Sequence, residues 1–199
     1  MHRVCVIDNS TLVTLTKLRH LSIFSLLRNL FAKIHIPLKI KEEYENERSL
    51  EIEPERKILL RQMKLNEGFL SICNQYETVS LMMFKTTKGI DLGEAEAAAQ
   101  HLKISSHFVI SDDKTFVSGL KKADPSIKVI GTLELIAWLD VLKLLPDVRG
   151  FLEVVHSQIK FTSSELRDSY KFAHSYLSIP LEKKTLSKKA SLKHLKLKL

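Results

Sequence analysis

Only two cysteines, Cys5 and Cys73, occur in the chain. They cannot build a disulfide framework or a thiolate zinc cage. Cys5 sits in an apolar, strand-like run and reads first as a small buried hydrophobe. No stretch approaches eighteen uninterrupted apolar residues, which argues against a spanning helix. The segment Met1 to Asp8 lacks the layout of a signal peptide, because its apolar run is short and closes on an acid. An intracellular, cytoplasmic location is the expectation. Three loop signatures are missing as well. No Gly-x-x-x-x-Gly-Lys-Ser/Thr is present, against an ATPase of that kind, and no Gly-x-Gly-x-x-Gly follows a strand, against dinucleotide binding. No Gly-x-Ser-x-Gly elbow is present for a serine hydrolase. The eight histidines are scattered without metal-ligand spacing.

What remains is 199 residues, 44% of them apolar, enough for a real core in one ordinary domain with or without an appendage. The net charge of +8 is unevenly placed. Glu182 to Leu199 holds seven lysines and one acid, +6, and the other 181 residues carry 24 basic and 22 acidic residues, +2. The basic pI therefore belongs mainly to the tail and does not mark the body as a nucleic-acid binder.

Five short, continuous apolar runs read as strands: Arg3 to Ile7, Lys33 to Ile36, Gly68 to Cys73, His107 to Ile110 and Ile127 to Ile130. Helical spacing fills the intervals, over Thr11 to Lys17, Ser22 to Phe31, Pro37 to Glu47, Glu53 to Met63, Glu77 to Phe84, Asp91 to His101 and Lys114 to Ala123. Leu133 to Leu145, Val148 to Ile159 and a helix opened by Thr162-Ser163-Ser164-Glu165 follow. Alternating strands and helices predict an α/β fold, a three-layer α/β/α sandwich on a five-stranded parallel sheet. The expected division is a domain over 1–146, a helical extension over 147–179 and a basic tail over 180–199.

In such sheets ligands bind beyond the carboxyl ends of the strands. The first strand ends in Asp8 and the fourth in Asp112-Asp113; Glu94 and Glu96 open the helix before strand four, and Glu42 and Glu43 lie on the helix after strand two. Carboxylates gathered at one edge repel each other and persist when a cation compensates them. All-oxygen ligands suit Mg²⁺ or Mn²⁺. Ions of this kind activate water and stabilise a phosphoryl leaving group, so the implied chemistry is metal-assisted hydrolysis of a phosphodiester.

Asp8-Asn9-Ser10, Ile36-Pro37-x-x-Ile40-x-x-Glu43, Leu92-Gly93-Glu94-Ala95-Glu96-Ala97, Ile110-Ser111-Asp112-Asp113 and Val129-Ile130-Gly131-Thr132, in that order, resemble a PIN domain over about Val4 to Leu145. The pattern is similar to the prokaryotic branch that includes VapC-like toxins. The resemblance implies a Mg²⁺- or Mn²⁺-dependent endoribonuclease. It matches Asp8, Glu43, Glu94 (or Glu96) and Asp112 (or Asp113) to the acids, with Asp8, Glu94 and Asp112 first as metal ligands. Ser10 and Ser111 match hydroxyls that orient those acids. It further implies RNA as substrate, a homodimer and, for a toxin, a small antitoxin partner. The third acid is Glu where many relatives have Asp, and the chain runs past the usual length.

Each residue also has a plainer reading. Asp8 can cap the helix near Thr11, and Asp112 or Asp113 the helix from Lys114. Asp91 and Glu94 have capping-box spacing. Lys114 can meet a phosphate or only its neighbouring acids. Lys183, Lys184, Lys188 and Lys189 can contact a nucleic-acid backbone. Alternatively Leu192, Leu195 and Leu199 mark a basic amphipathic helix, or the tail is a solvated extension. A two-component receiver domain lacks its Asp after strand three, where Cys73-Asn74 stand, and a haloacid-dehalogenase-type phosphatase lacks Asp-x-Asp at Asp8-Asn9-Ser10. The second functional class is a PIN-fold scaffold that binds RNA or protein without turnover.

Overall fold

A computed structural model describes residues 3–46 and 53–179. Five strands, β1 (Val4–Ile7), β2 (Lys33–Pro37), β3 (Leu70–Cys73), β4 (Phe108–Ile110) and β5 (Val129–Ile130), form one sheet in the order β3-β2-β1-β4-β5. Every pairing is parallel, with Ile7 opposite Ile110 and Cys5 opposite Ile34. Parallel strands need crossovers, and helices supply them. These are α1 (Asn9–Lys17), α2 (Ile23–Leu27), α3 (Leu38–Asn46), α4 (Glu53–Leu65), α5 (Thr78–Lys85), α6 (Leu92–Lys103), α7 (Lys114–Ala123), α8 (Thr132–Val141), α9 (Val148–Ile159) and α10 (Ser163–Leu177). The predicted α/β/α sandwich is the observed architecture. The basic tail and its lysines lie outside the described residues.

Two cores cover the sheet. Phe108 and Ile110 pack on one side with Cys5, Ile7, Leu12 and Trp138, whereas Val109 packs on the other with Phe84, Ala98, Phe116 and Leu120. That is the period-two alternation of a strand buried on both faces. α6 lies close to the sheet because its inner face is Ala95, Ala98 and Ala99.

Two helices stop earlier than their apolar spacing predicts. α2 ends at Leu27, and α8 ends at Val141, where Leu142 caps the turn. The C-terminal pair is joined to the main core: Phe151, Leu152 and Val155 of α9 and Leu166, Tyr170 and Ala173 of α10 are buried in it. Trp138 stacks on Tyr176 at 4.8 Å and on Phe172 at 5.9 Å, and the Tyr170 hydroxyl donates to Asp140 at 2.7 Å. No described helix is long and apolar enough to cross a membrane.

Candidate active site

β1 has strands on both sides, so the crossovers part between β1 and β4, and a crevice opens at their carboxyl ends. The ladder runs one step past the strands there: the Asp8 amide donates to Ile110 O at 3.0 Å and the Ser111 amide to Ile130 O at 2.9 Å. Asp8 and Ser111 are thereby set side by side.

Asp8 is 2% exposed. Its Oδ1 accepts the Thr11 amide at 2.9 Å, capping α1, and its Oδ2 accepts the hydroxyls of Ser10 (3.0 Å) and Ser111. Ser111 Oγ also accepts the Asp113 amide at 3.1 Å, so one hydroxyl links the two acids. Burial raises the Asp8 carboxyl above its ordinary range, and these hydrogen bonds oppose the rise. Asp8 thus caps α1 and, in the same side chain, stands at the carboxyl edge of the sheet.

A cavity of about 400 Å³ opens at this point. Asp8, Glu43, Asp91, Glu94 and Asp113 line it, with Asn9 and Ser10. Gly93 floors it: a Cβ there would stand 3.6 Å from Asp91 Oδ1 and 3.9 Å from Glu43 Oε1. Glu94 and Asp91 form a reciprocal capping box, the Asp91 amide donating to Glu94 Oε2 at 2.9 Å and the Glu94 amide to Asp91 Oδ1 at 2.8 Å. Burial first, then the charges of Asp91, Asp113 and Asp8, push Glu94 up to about 7. Asp113 caps α7, its Oδ1 accepting the Thr115 and Phe116 amides at 2.7 and 2.9 Å.

The members of the two paired alternatives lie in different places. Glu94 lines the cavity, and Glu96 turns away to accept the Lys39 amide at 3.1 Å, holding the start of α3. Asp113 lines the cavity, and Asp112 faces a neighbouring cleft, where its carboxylate accepts the Thr132 amide at 2.8 Å and the Thr132 hydroxyl at 2.5 Å. Burial raises Asp112 to about 6, with Asp8 and Glu134 adding repulsion. The set brought together is therefore Asp8, Glu43, Glu94 and Asp113, and Asp112 secures the first turn of α8. Lys114 forms an exposed ion pair with Glu165 of α10 at 2.8 Å. Asp91 and Asn9 also line the cavity, although the sequence marks the one only as a cap and the other only as part of a motif. The Asn9 side-chain carbonyl accepts the Tyr44 hydroxyl at 2.7 Å, tying α1 to α3, a contact that no local pattern announces.

The potential metal donors in this lining are oxygens, with neither His nor Cys, which suits a hard divalent cation. Among the described residues no three His, Cys, Asp or Glu groups are yet close enough to share one ion. Glu94 is folded back on its own helix start, and Asp113 Oδ1 is taken by amides. The residues fit such an ion in donor chemistry and in neighbourhood, and coordination by Glu94 requires its side chain to leave the capping box and swing inward.

A family model described as a PIN domain matches residues 4–171. The chain belongs to the PIN-domain family. PIN domains are generally nucleases and typically use divalent metals, so hydrolase chemistry is the coarse assignment for this one. The match runs across α9 and into α10, in keeping with the burial of both in the common core. No match was found among curated proteins or among solved structures.

Proposed function

We propose that this PIN domain is a Mg²⁺- or Mn²⁺-dependent endoribonuclease, with Asp8, Glu43, Glu94 and Asp113 as the acids of its centre. The observation that supports it is the meeting, in one 400 Å³ cavity, of carboxylates from four separate segments, Asp8 raised by burial and Glu94 by burial and by its acidic neighbours. Acids so placed are poorly solvated and repel one another, and a divalent cation relieves both penalties. A bound ion would supply an activated water and charge stabilisation at the phosphoryl group. The protein's part is positioning. Ser10 and Ser111 direct Asp8 Oδ2, Ser111 sets Asp113 relative to Asp8, and Tyr44 fixes Asn9 at the rim.

A role as the toxin of a toxin–antitoxin pair in the cytoplasm, of the VapC-like kind, is the biological setting we propose, with a small antitoxin over the acidic cavity and a homodimer as the working form. The deciding experiment is cleavage of labelled single-stranded RNA with Mn²⁺, repeated with Asp8→Asn. Metal-dependent cutting that the variant lacks supports the nuclease. RNA binding without any metal-dependent cutting identifies the non-catalytic scaffold instead.

A further inference from the structure

We infer that the cleft between α7, α8 and α10 seats a segment of single-stranded RNA beside the acidic cavity, with lysines on its phosphates and an apolar bed under a base. The inference rests on the nuclease reading above and assigns the path of its substrate. The cleft measures about 750 Å³, within the range that encloses small ligands. Its place is the first argument. Ser111 and Asp112 form its wall, and the next residue, Asp113, lines the acidic cavity. The two hollows therefore meet at the end of β4, one residue apart along the chain, close enough for one RNA strand to reach both.

Charge is the second. Four acids touch the cleft, and each is already engaged. Asp112 holds Thr132, and Glu134 accepts the Gly131 amide at 2.8 Å and the Ser169 hydroxyl at 2.6 Å. Glu165 pairs with Lys114 at 2.8 Å, and Asp168 with Lys171 at 2.9 Å. Lys121, Lys122 and Lys160 also line the cleft, are exposed, and have no ion-pair partner among the described residues. Lys114 and Glu165 cancel, Lys171 offsets Asp168, and Lys121, Lys122 and Lys160 outnumber the half-buried Asp112 and Glu134 by one, so the exposed charge of the cleft is positive, which matches a phosphate backbone.

The third is the bed. Val117, Val129, Leu133, Ile159 and Phe161 lie along it. Any base can rest a π-face on such a surface, so seating there is tolerant of sequence. Lys160 has a left-handed backbone (φ +40°) at the end of α9, and this turn puts both Lys160 and Phe161 on the cleft wall.

The test is fluorescence anisotropy with a labelled single-stranded RNA dodecamer in EDTA, where no cleavage intervenes. Lys121→Glu combined with Lys122→Glu should weaken binding at least tenfold and lower the slope of log affinity against log salt by about 1.4, two phosphate contacts at ~0.7 each. The charge-matched double variant Lys85→Glu with Lys88→Glu, outside the cleft, should stay within about threefold of wild type. Ser118→Trp, an exposed position on the cleft, should weaken RNA by obstruction with its salt slope unchanged. Equal losses from both lysine pairs, or wild-type binding in both cleft variants, overturn the proposal. Displacement of RNA by polyglutamate as readily as by unlabelled RNA also overturns it, in favour of an acidic protein partner. A wild type that cuts RNA, with cleft variants that bind and cut equally well, removes the cleft and leaves the nuclease. A wild type that binds through the cleft and never cuts does the reverse.

Discussion

Replacing Asp112 by asparagine separates the two acids that follow β4. An asparagine keeps both contacts to Thr132, its oxygen accepting the amide and its NH₂ donating to the hydroxyl. What it removes is a buried charge. Burial places the Asp112 carboxyl at about 6 in the fold, against an ordinary 3.8. A folded value raised in this way gives stability that is complete below pH 3.8 and is lost as the pH rises through about 6. Asparagine does not titrate. Between about pH 5 and about pH 8, Asp112→Asn should therefore gain roughly 1.4 kcal/mol on the wild type. For a chain of this size that is ~3–6 °C in Tm. Asp113→Asn is the counterpart. Asparagine caps a helix as well as aspartate does, so stability should move by less than about 1 kcal/mol. The carboxylate leaves the cavity, however, and Mn²⁺ affinity should fall at least about tenfold, since even outer partners of metal ligands are worth ~10–100-fold. Thermal melts in EDTA at both pH values and Mn²⁺ titration calorimetry measure the two effects. Lost Mn²⁺ binding in Asp112→Asn with binding retained in Asp113→Asn, or a Tm difference that does not change with pH, refutes the assignment.

Gly131→Ala should destabilise by about 1–3 kcal/mol in urea melts, because its Cβ would lie 2.7 Å from Asp112 Oδ1 and 3.3 Å from Ser111 O; an unchanged midpoint would show that the Asp112 anchor yields freely. Protons compete with metal for Glu94, raised to about 7, so apparent Mn²⁺ affinity should drop about tenfold per pH unit below that value. Affinity that is level between about pH 5.5 and about pH 7.5 would remove Glu94 from the ligand set. Trp138→Ala should cost about 3–5 kcal/mol by emptying the stack with Phe172 and Tyr176, and a chain ending at residue 146 should show no cooperative melt. A cooperative melt of that fragment would make α9 and α10 a separable extension, the division expected from the sequence.

The sheet was readable because each strand is a brief apolar run, and all but β3 close on or next to an acid, proline or glycine, the pattern of strands covered on both faces. The acid clusters were readable for a similar reason: a chain that ends a strand in Asp8, or in Asp112-Asp113, puts charge at the sheet's open edge. The selection within each cluster was not. Asp112 is separated from Asp113 by Thr132, twenty residues downstream, and Glu96 from Glu94 by the Lys39 amide, 57 residues upstream. Such partners are contributed by the assembled fold, and a local pattern holds no record of them. The same limit applies to α10, whose amphipathic face shows that it buries something without showing that Trp138 is its partner.

Three of the acid positions in the cavity are also helix starts: Asp8 for α1, Asp91 with Glu94 for α6, and Asp113 for α7. Each carboxylate shields at least one amide: Asp8 that of Thr11, Glu94 that of Asp91, Asp91 that of Glu94, and Asp113 those of Thr115 and Phe116. These five amides therefore act as hydrogen-exchange clocks. An acid that swings away to take a new partner uncovers its own N–H, and the clock for that helix runs faster while the other two keep time. The order in which the acids disengage can thus be followed at single residues, with no label in the cavity.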